Sequence, residues 1–209
     1  MNDKPVIRFH KGDLPNLDHY NVDAVAIDTE TLGLNPHRDR LCVVQISPGD
    51  GSADIIQIAK GQRRAPNLAA LLRNRKITKL FHFGRFDLAV LYHTFGVMPE
   101  PVYCTKIASR LTRTYTDRHG LKDLCSELLG VTLSKVQQTS DWAAETLSPE
   151  QLDYAASDVL YLHRLRSALD ARLARDGRAP EAAACFRFLP TRAKLDLMGW
   201  PEADIFAHS

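Results

Sequence analysis

With 209 residues the chain is long enough to bury a real core as one domain and short for two. Its hydrophobic share of 44% and charged share of 25% are those of an ordinary soluble globular protein. A net charge of +2 lacks the basic bias of proteins that track long nucleic acid, so a nucleic-acid substrate, if there is one, should be short. No apolar run approaches membrane-spanning length, and MNDKPVIRFHKGDLPN contains no apolar signal core. The four cysteines (Cys42, Cys104, Cys125, Cys185) form no C-x-x-C pair and lie mostly among apolar neighbours. That pattern reads as reduced, buried thiols of a cytoplasmic protein and argues against zinc.

Along the chain, DAVAIDTE, RLCVVQIS and ADIIQIA read as three successive strands with short polar connections, hence an antiparallel meander. NLAALLRN follows as a helix and ITKLFHFG as a fourth strand. RFDLAVLYHTFG has apolar residues at helical spacing and stops at Gly96. PVYCTKIA reads as a fifth strand, and GLKDLCSELLG as an amphipathic helix between glycines. The longest helix should open at Ser148, with Pro149 at its first position and Gln151 completing a capping box, and run to about Arg175 before Gly177. Strands first, then alternating strand and helix, predict an α/β sheet with helices on its faces. The expected organisation is a single domain over 1–209, with a core of about 20–175 and a C-terminal tail, 176–209.

The chemistry concentrates in five residues from three separated segments: Asp28 and Glu30 in VAIDTETLGL, Asp87 in FHFGRFDLAVL, and Tyr154 with Asp158 in LDYAASDVLYL. Each segment is otherwise apolar, where an ionised carboxylate is costly to bury unless its charge is offset. Asp28 and Glu30, two apart at a strand end, project to one face. Tyr154 and Asp158, four apart, share a helix face. Singly each pattern is weak: a strand-end D-x-E is equally a solvated turn, Asp87 equally a residue favoured by a helix dipole, and Tyr154 equally a core tyrosine. Together, four carboxylates would repel one another, so a shared cation is their natural partner. Oxygen donors without Cys or His suit Mg²⁺ or Mn²⁺. Carboxylate-held Mg²⁺ serves phosphoryl transfer and phosphodiester hydrolysis, which points to a metal-dependent nuclease.

DTE, then H-x-x-x-F-D-L, then Y-A-A-S-D-V-x-Y-L resembles the three exonuclease motifs of the DEDD superfamily, in the DEDDy branch. QQTSDW and LSPEQLDYAASDV resemble ribonuclease D, over roughly residues 20–170. This resemblance implies an RNase H-like mixed sheet flanked by helices and two-metal-ion 3′→5′ exonuclease chemistry. Only about forty residues follow, so the helical HRDC modules of ribonuclease D are expected to be absent. DTETLGLNPHRDRLCVVQIS, RLTRTYTDRHG and IFAHS further resemble the alphaproteobacterial nano-RNase C group, which implies very short RNA substrates, dinucleotides above all, and an octameric ring. General ribonuclease D-like RNA trimming, a DNA exonuclease and a binding module with a dead site are the alternatives; the last is disfavoured because no acidic position is replaced.

Under this resemblance Asp28, Glu30 and Asp158 hold one of two Mg²⁺ or Mn²⁺ ions, Asp28 bridges to a second near Asp87, and Tyr154 orients or deprotonates the attacking water. His82 and Arg85 are candidates for the 3′-nucleotide pocket, while Phe83 and Phe86 read as core. Leu34 stands where related short-RNA exonucleases place a wedge between two bases, though it would equally pack a loop. Arg113 and Tyr115, in RLTRTYTDRH, mix charge and aromatic surface as phosphate-and-base contacts do; a solvated face is the alternative. Trp142 reads as a loop anchor.

Overall fold

The computed structural model of the chain describes residues 4–134, 137 and 140–208. Six strands form one mixed sheet in the order β1-β4-β3-β2-β5-β6. β1 (Val6–Lys11) is an edge strand parallel to β4 (Ser52–Gln57). β2 (Ala24–Thr31), β3 (Leu41–Ser47) and β4 make the expected antiparallel meander. β5 (Thr78–Phe81) joins β2, and β6 (Val102–Cys104) joins β5, both in parallel. The helices are α1 (Pro66–Arg73), α2 (Gly84–Phe95), α3 (Thr105–Thr112), α4 (Leu121–Leu124), α5 (Pro149–Leu160), α6 (Leu162–Arg175) and α7 (Ala179–Leu197). α4 runs on as a π turn over Cys125–Leu129.

β3 is buried at every position, as a strand covered on both faces must be, and its sequence LCVVQIS is accordingly apolar almost throughout. The two faces of β2 then separate two cores. Its odd positions, Val25 and Ile27, pack with Leu68, Leu88 and Leu91 of α1 and α2. Its even positions, Ala24 and Ala26, pack with Ala155, Val159 and Leu162 of α5 and α6. Small residues on the even face let α5 approach the sheet closely, and Asp28 and Glu30 continue that face at the strand's C-terminal end.

Four expectations need correction. PVYCTKIA is a three-residue strand that turns directly into α3 at Thr105. The helix opening at Ser148 has its capping box, but it breaks at Tyr161 into α5 and α6. The longest helix is α7, 19 residues within the segment expected as a tail. Cys185 on that helix is exposed, unlike the other three cysteines. Among the described residues no helix is long and apolar enough to cross a membrane.

Candidate active site

Three elements deliver the acidic residues to one place. Asp28 and Glu30 come from β2, and Asp158 comes from α5, which covers the even face of the strand. One carboxylate oxygen from each of the three lies within 4.8 Å of the others. Asp87 arrives from the opposite layer, in the first turn of α2, and is 3% exposed. Thr29, between the two β2 acids and pointing to the other face, donates to Asp87 Oδ1 at 2.6 Å. Gln45, paired with Asp28 across the β2–β3 ladder, donates to Asp28 Oδ2 at 3.4 Å. The four carboxylates thus meet at the end of a central strand, where both helical layers can reach.

Their electrostatics are those of anions missing a counter-charge. Burial, and then the charges of Asp87, Asp158 and Glu30, push Asp28 well above the usual carboxylate range. Burial with the Asp158 and Asp87 charges lifts Glu30 to about 9. Burial and Asp87 lift Asp158 to about 7, opposed by a hydrogen bond with the Tyr154 side chain. Asp87 is raised to about 7 by burial, opposed by its bond from Thr29. Oxygen donors this close, half-buried and mutually repulsive, fit a divalent cation: it would replace the repulsion with attraction and restore all four to their ionised form. Tyr154 is likewise raised, by burial and then by Asp158. Its ring stands 6.0 Å from that of buried Trp142, the expected loop anchor. Of the QQTSDW motif, Gln138 and Thr139 lie outside the described residues.

Asp28, Glu30 and Asp158, with Tyr154, open into a cleft of about 310 Å³ lined also by His82, Lys106, Leu121, Lys122 and Leu133, with Asp87 buried behind them. His82, a candidate for the 3′-nucleotide pocket, thus lies beside the carboxylates. Its Nδ1 is 2.9 Å from Thr105 Oγ1, and burial, then the charge of Lys106, lowers it to about 3, so it faces the cleft as a neutral ring. The other expected contacts lie elsewhere. Arg85 is absent from the lining and pairs with Asp196. Arg113, its side chain 1% exposed, is committed to Glu127, to Ser109 and to the Arg118 carbonyl. Tyr115 hydrogen-bonds Glu127 on that same surface. Leu34 is 85% exposed on the β2–β3 connection. Phe83, expected in the core, is half exposed in the β5–α2 turn, beneath the Lys106 ammonium at 4.4 Å.

Lys106 and Lys122 were not foreseen. Lys106 sits in the segment misread as strand; the helical phase of TKIASR would have turned it toward the cleft.

A mixed sheet with both faces helix-covered, and four acids at the end of its second strand, is the RNase H-like arrangement of the nucleases that resemble this chain. The 3′-5′ exonuclease family profile matches residues 16–174, and the chain belongs to that family. Ribonuclease D of Acidiphilium cryptum is 38% identical over 163 residues, 76% of this chain and 41% of that protein. The chain spans about two-fifths of the length of the curated ribonuclease D relatives it matches. Among solved structures, Brucella melitensis NrnC bound to pGG is 75% identical with a TM-score of 0.96, covering 98% of this chain and 100% of that one. NrnC with bound Mg²⁺ is 74% identical, with a TM-score of 0.95 and the same coverage. Escherichia coli RNase D, an exoribonuclease, is 31% identical with a TM-score of 0.74 over 83% of this chain and 45% of that one.

Proposed function

We propose that the chain is a metal-dependent 3′→5′ exoribonuclease acting on very short RNAs, dinucleotides above all, and releasing nucleoside 5′-monophosphates. The observation that carries this reading is the convergence of Asp28, Glu30 and Asp158 oxygens within 4.8 Å, with Asp87 behind them. Divalent ions held there, two Mg²⁺ or Mn²⁺ by this reading, supply electrostatic stabilisation of the attacking and leaving oxygens of an in-line displacement. Asp28, Glu30 and Asp158 would hold one ion, and Asp28 with Asp87 the other. Tyr154 hydrogen-bonds Asp158 and keeps its proton in the metal-free site, so its hydroxyl orients the water from the α5 side. Neutral His82 offers the substrate a hydrogen bond without a charge, and Lys106 and Lys122 supply the cations that a phosphate needs.

The short-substrate reading is supported by likeness to a Brucella melitensis structure that holds pGG, and by the small net charge. From the resemblance of the sequence to the nano-RNase C group we further propose that residues 1–209 act as one domain of a homo-oligomer, an octamer, and from its unpaired thiols that it works in the cytoplasm. Exposed Phe188, Trp200 and Phe206 in its last segment give the assembly local support. Light scattering at micromolar concentration tests it, and a monomer with full activity removes it.

The deciding experiment is a side-by-side rate comparison with Mg²⁺ and Mn²⁺ on a 5′-phosphorylated dinucleotide, longer RNA and DNA. The expected order is dinucleotide fastest. Equal rates on long RNA favour a general ribonuclease D-like trimmer, and a faster rate on DNA favours a DNA exonuclease.

A further inference from the structure

The turn that carries His82 to the cleft is strained and is held from outside by α7. Phe83 is the only non-glycine residue at positive φ, 68°, among the described residues. Such a conformation is strained for a residue with a side chain and persists only where its surroundings over-determine it. The turn is also tight: a Cβ on Gly84 would meet Phe81 Cβ at 2.7 Å. One residue further, Arg85 Nε and Nη2 grip both oxygens of Asp196 at 2.5 and 2.7 Å. A fork-to-fork pair fixes orientation as well as distance. Arg192, one turn earlier on α7, also donates to Asp196 and holds it in place.

The next residue of α7 reaches the β2–β3 connection, the segment that follows Glu30 in the chain. Leu197 accepts a hydrogen bond from His37 Nε2 at 3.0 Å, and His37 lies three residues after Leu34 on the β2–β3 connection. A single turn at the C-terminal end of α7 therefore touches both segments that flank the carboxylates. α7 begins at Ala179, beyond residue 174 where the match to the 3′-5′ exonuclease family ends.

We infer that Asp196 is a positioning residue for hydrolysis, acting through Arg85 to fix the β5–α2 turn and with it Asp87 and His82. This rests on the exonuclease reading above. Were the pair only an anchor for α7, its loss would lower the melting temperature and leave the folded enzyme's turnover and metal response alone.

Asp196→Asn in the full chain separates these roles, because it keeps the shape of the side chain and removes its charge. The readouts are kcat and KM on a 5′-phosphorylated dinucleotide, the Mn²⁺ concentration giving half activity, and the melting temperature. We expect kcat to fall about 10- to 100-fold, the scale of an ångström-sized misplacement. KM should change little, and the half-activating Mn²⁺ concentration should rise as Asp87 loses its position. A folded Asp196→Asn protein with unchanged kcat and metal response overturns the inference. Should Asp196→Asn fail to fold, Arg85→Gln decides by the same criteria. Wild-type activity is measured first: a wild type that hydrolyses no RNA with either metal overturns the exonuclease reading, and the positioning role falls with it.

Discussion

Thr29 Oγ1 donates to Asp87 Oδ1 across 2.6 Å, joining the central strand to the first turn of α2. Thr29 sits between Asp28 and Glu30, so one tripeptide supplies two acids to one face of the sheet and orients a third from the other. Thr29→Val keeps shape and β-branching and removes only the hydroxyl. The buried Asp87 carboxylate then loses one of its hydrogen bonds and keeps those from backbone N–H groups, at a cost of about 1–3 kcal/mol. We expect a lower melting temperature and a fall in kcat, since Asp87 rises further and loses its orientation. Wild-type turnover in Thr29→Val would show that α2 alone positions Asp87.

The metal-free protein should lose stability as pH rises. Glu30, Asp87 and Asp158 are raised in the fold, chiefly by burial, Glu30 to about 9 and the other two to about 7. A raised carboxyl favours the fold while protonated, so its contribution is complete below the unfolded value near 4 and disappears as pH climbs through the folded values. Asp158→Asn should therefore melt above the metal-free wild type by a margin that widens from about pH 5 to about pH 9, with activity abolished. Mg²⁺ should stabilise the wild type far more than the variant. A margin independent of pH would mean that the carboxylates do not repel one another in the fold.

Asp54 pulls in the other direction. Although burial opposes it, hydrogen bonds from Arg8, Tyr20 and His10 hold this carboxyl at about 2. A depressed carboxyl stabilises above its unfolded value near 4, and that stability is lost as pH falls toward 2. Asp54→Asn leaves Arg8 without its partner on the edge strand β1, a loss on the order of 3–5 kcal/mol for a buried pair and less here because Arg8 is a quarter exposed. Urea melts at neutral pH should show it, with Asp54→Asn also losing the wild type's steep decline below about pH 4. An unchanged midpoint would leave β1 held by its ladder alone.

The acidic set was legible in the sequence because a carboxylate in an apolar run announces itself, and because strand and helix periods say which neighbours share a face. The meander and α5's start were legible for the same reason: β3 is apolar but for Gln45 and Ser47, and Ser148, Pro149 and Gln151 spell a helix start. What escaped depends on tertiary partners. β1 is a short edge strand whose polar Arg8 and His10 are explained only by Asp54, 46 and 44 residues away. Arg85 and Arg113 look in sequence like substrate contacts, and only the fold shows Asp196 and Glu127 pairing with them. The break at Tyr161 and the length of α7 were hidden because helical composition continues on both sides of each.

Tyr154→Phe keeps the ring beside Trp142 and deletes the hydroxyl that Asp158 shares. A general acid–base or water-orienting group is worth about 10²–10⁴-fold, and kcat should fall by that much with the fold unchanged. Turnover equal to wild type would reduce Tyr154 to packing.

The last prediction concerns length. Lys106 and Lys122 line the cleft with the carboxylates, and Leu34 stands exposed on the loop that follows Glu30. A dinucleotide with a 5′ phosphate would then be gripped at both ends, its scissile bond at the acids and its terminal phosphate at a cation. Removing that phosphate deletes a charge-assisted contact of about 1.5–3 kcal/mol. At about 1.4 kcal/mol per tenfold, binding should weaken by about one to two orders of magnitude. Leu34→Ala, at a position 85% exposed in the monomer, should leave the melting temperature alone and erode the proposed preference for dinucleotides over longer RNA. Affinity measured with Ca²⁺ in place of Mg²⁺, on dinucleotides with and without the phosphate, reads the first effect without turnover. Equal affinities there, together with an unaltered length preference in Leu34→Ala, would remove the capped-site reading and leave a general RNA trimmer.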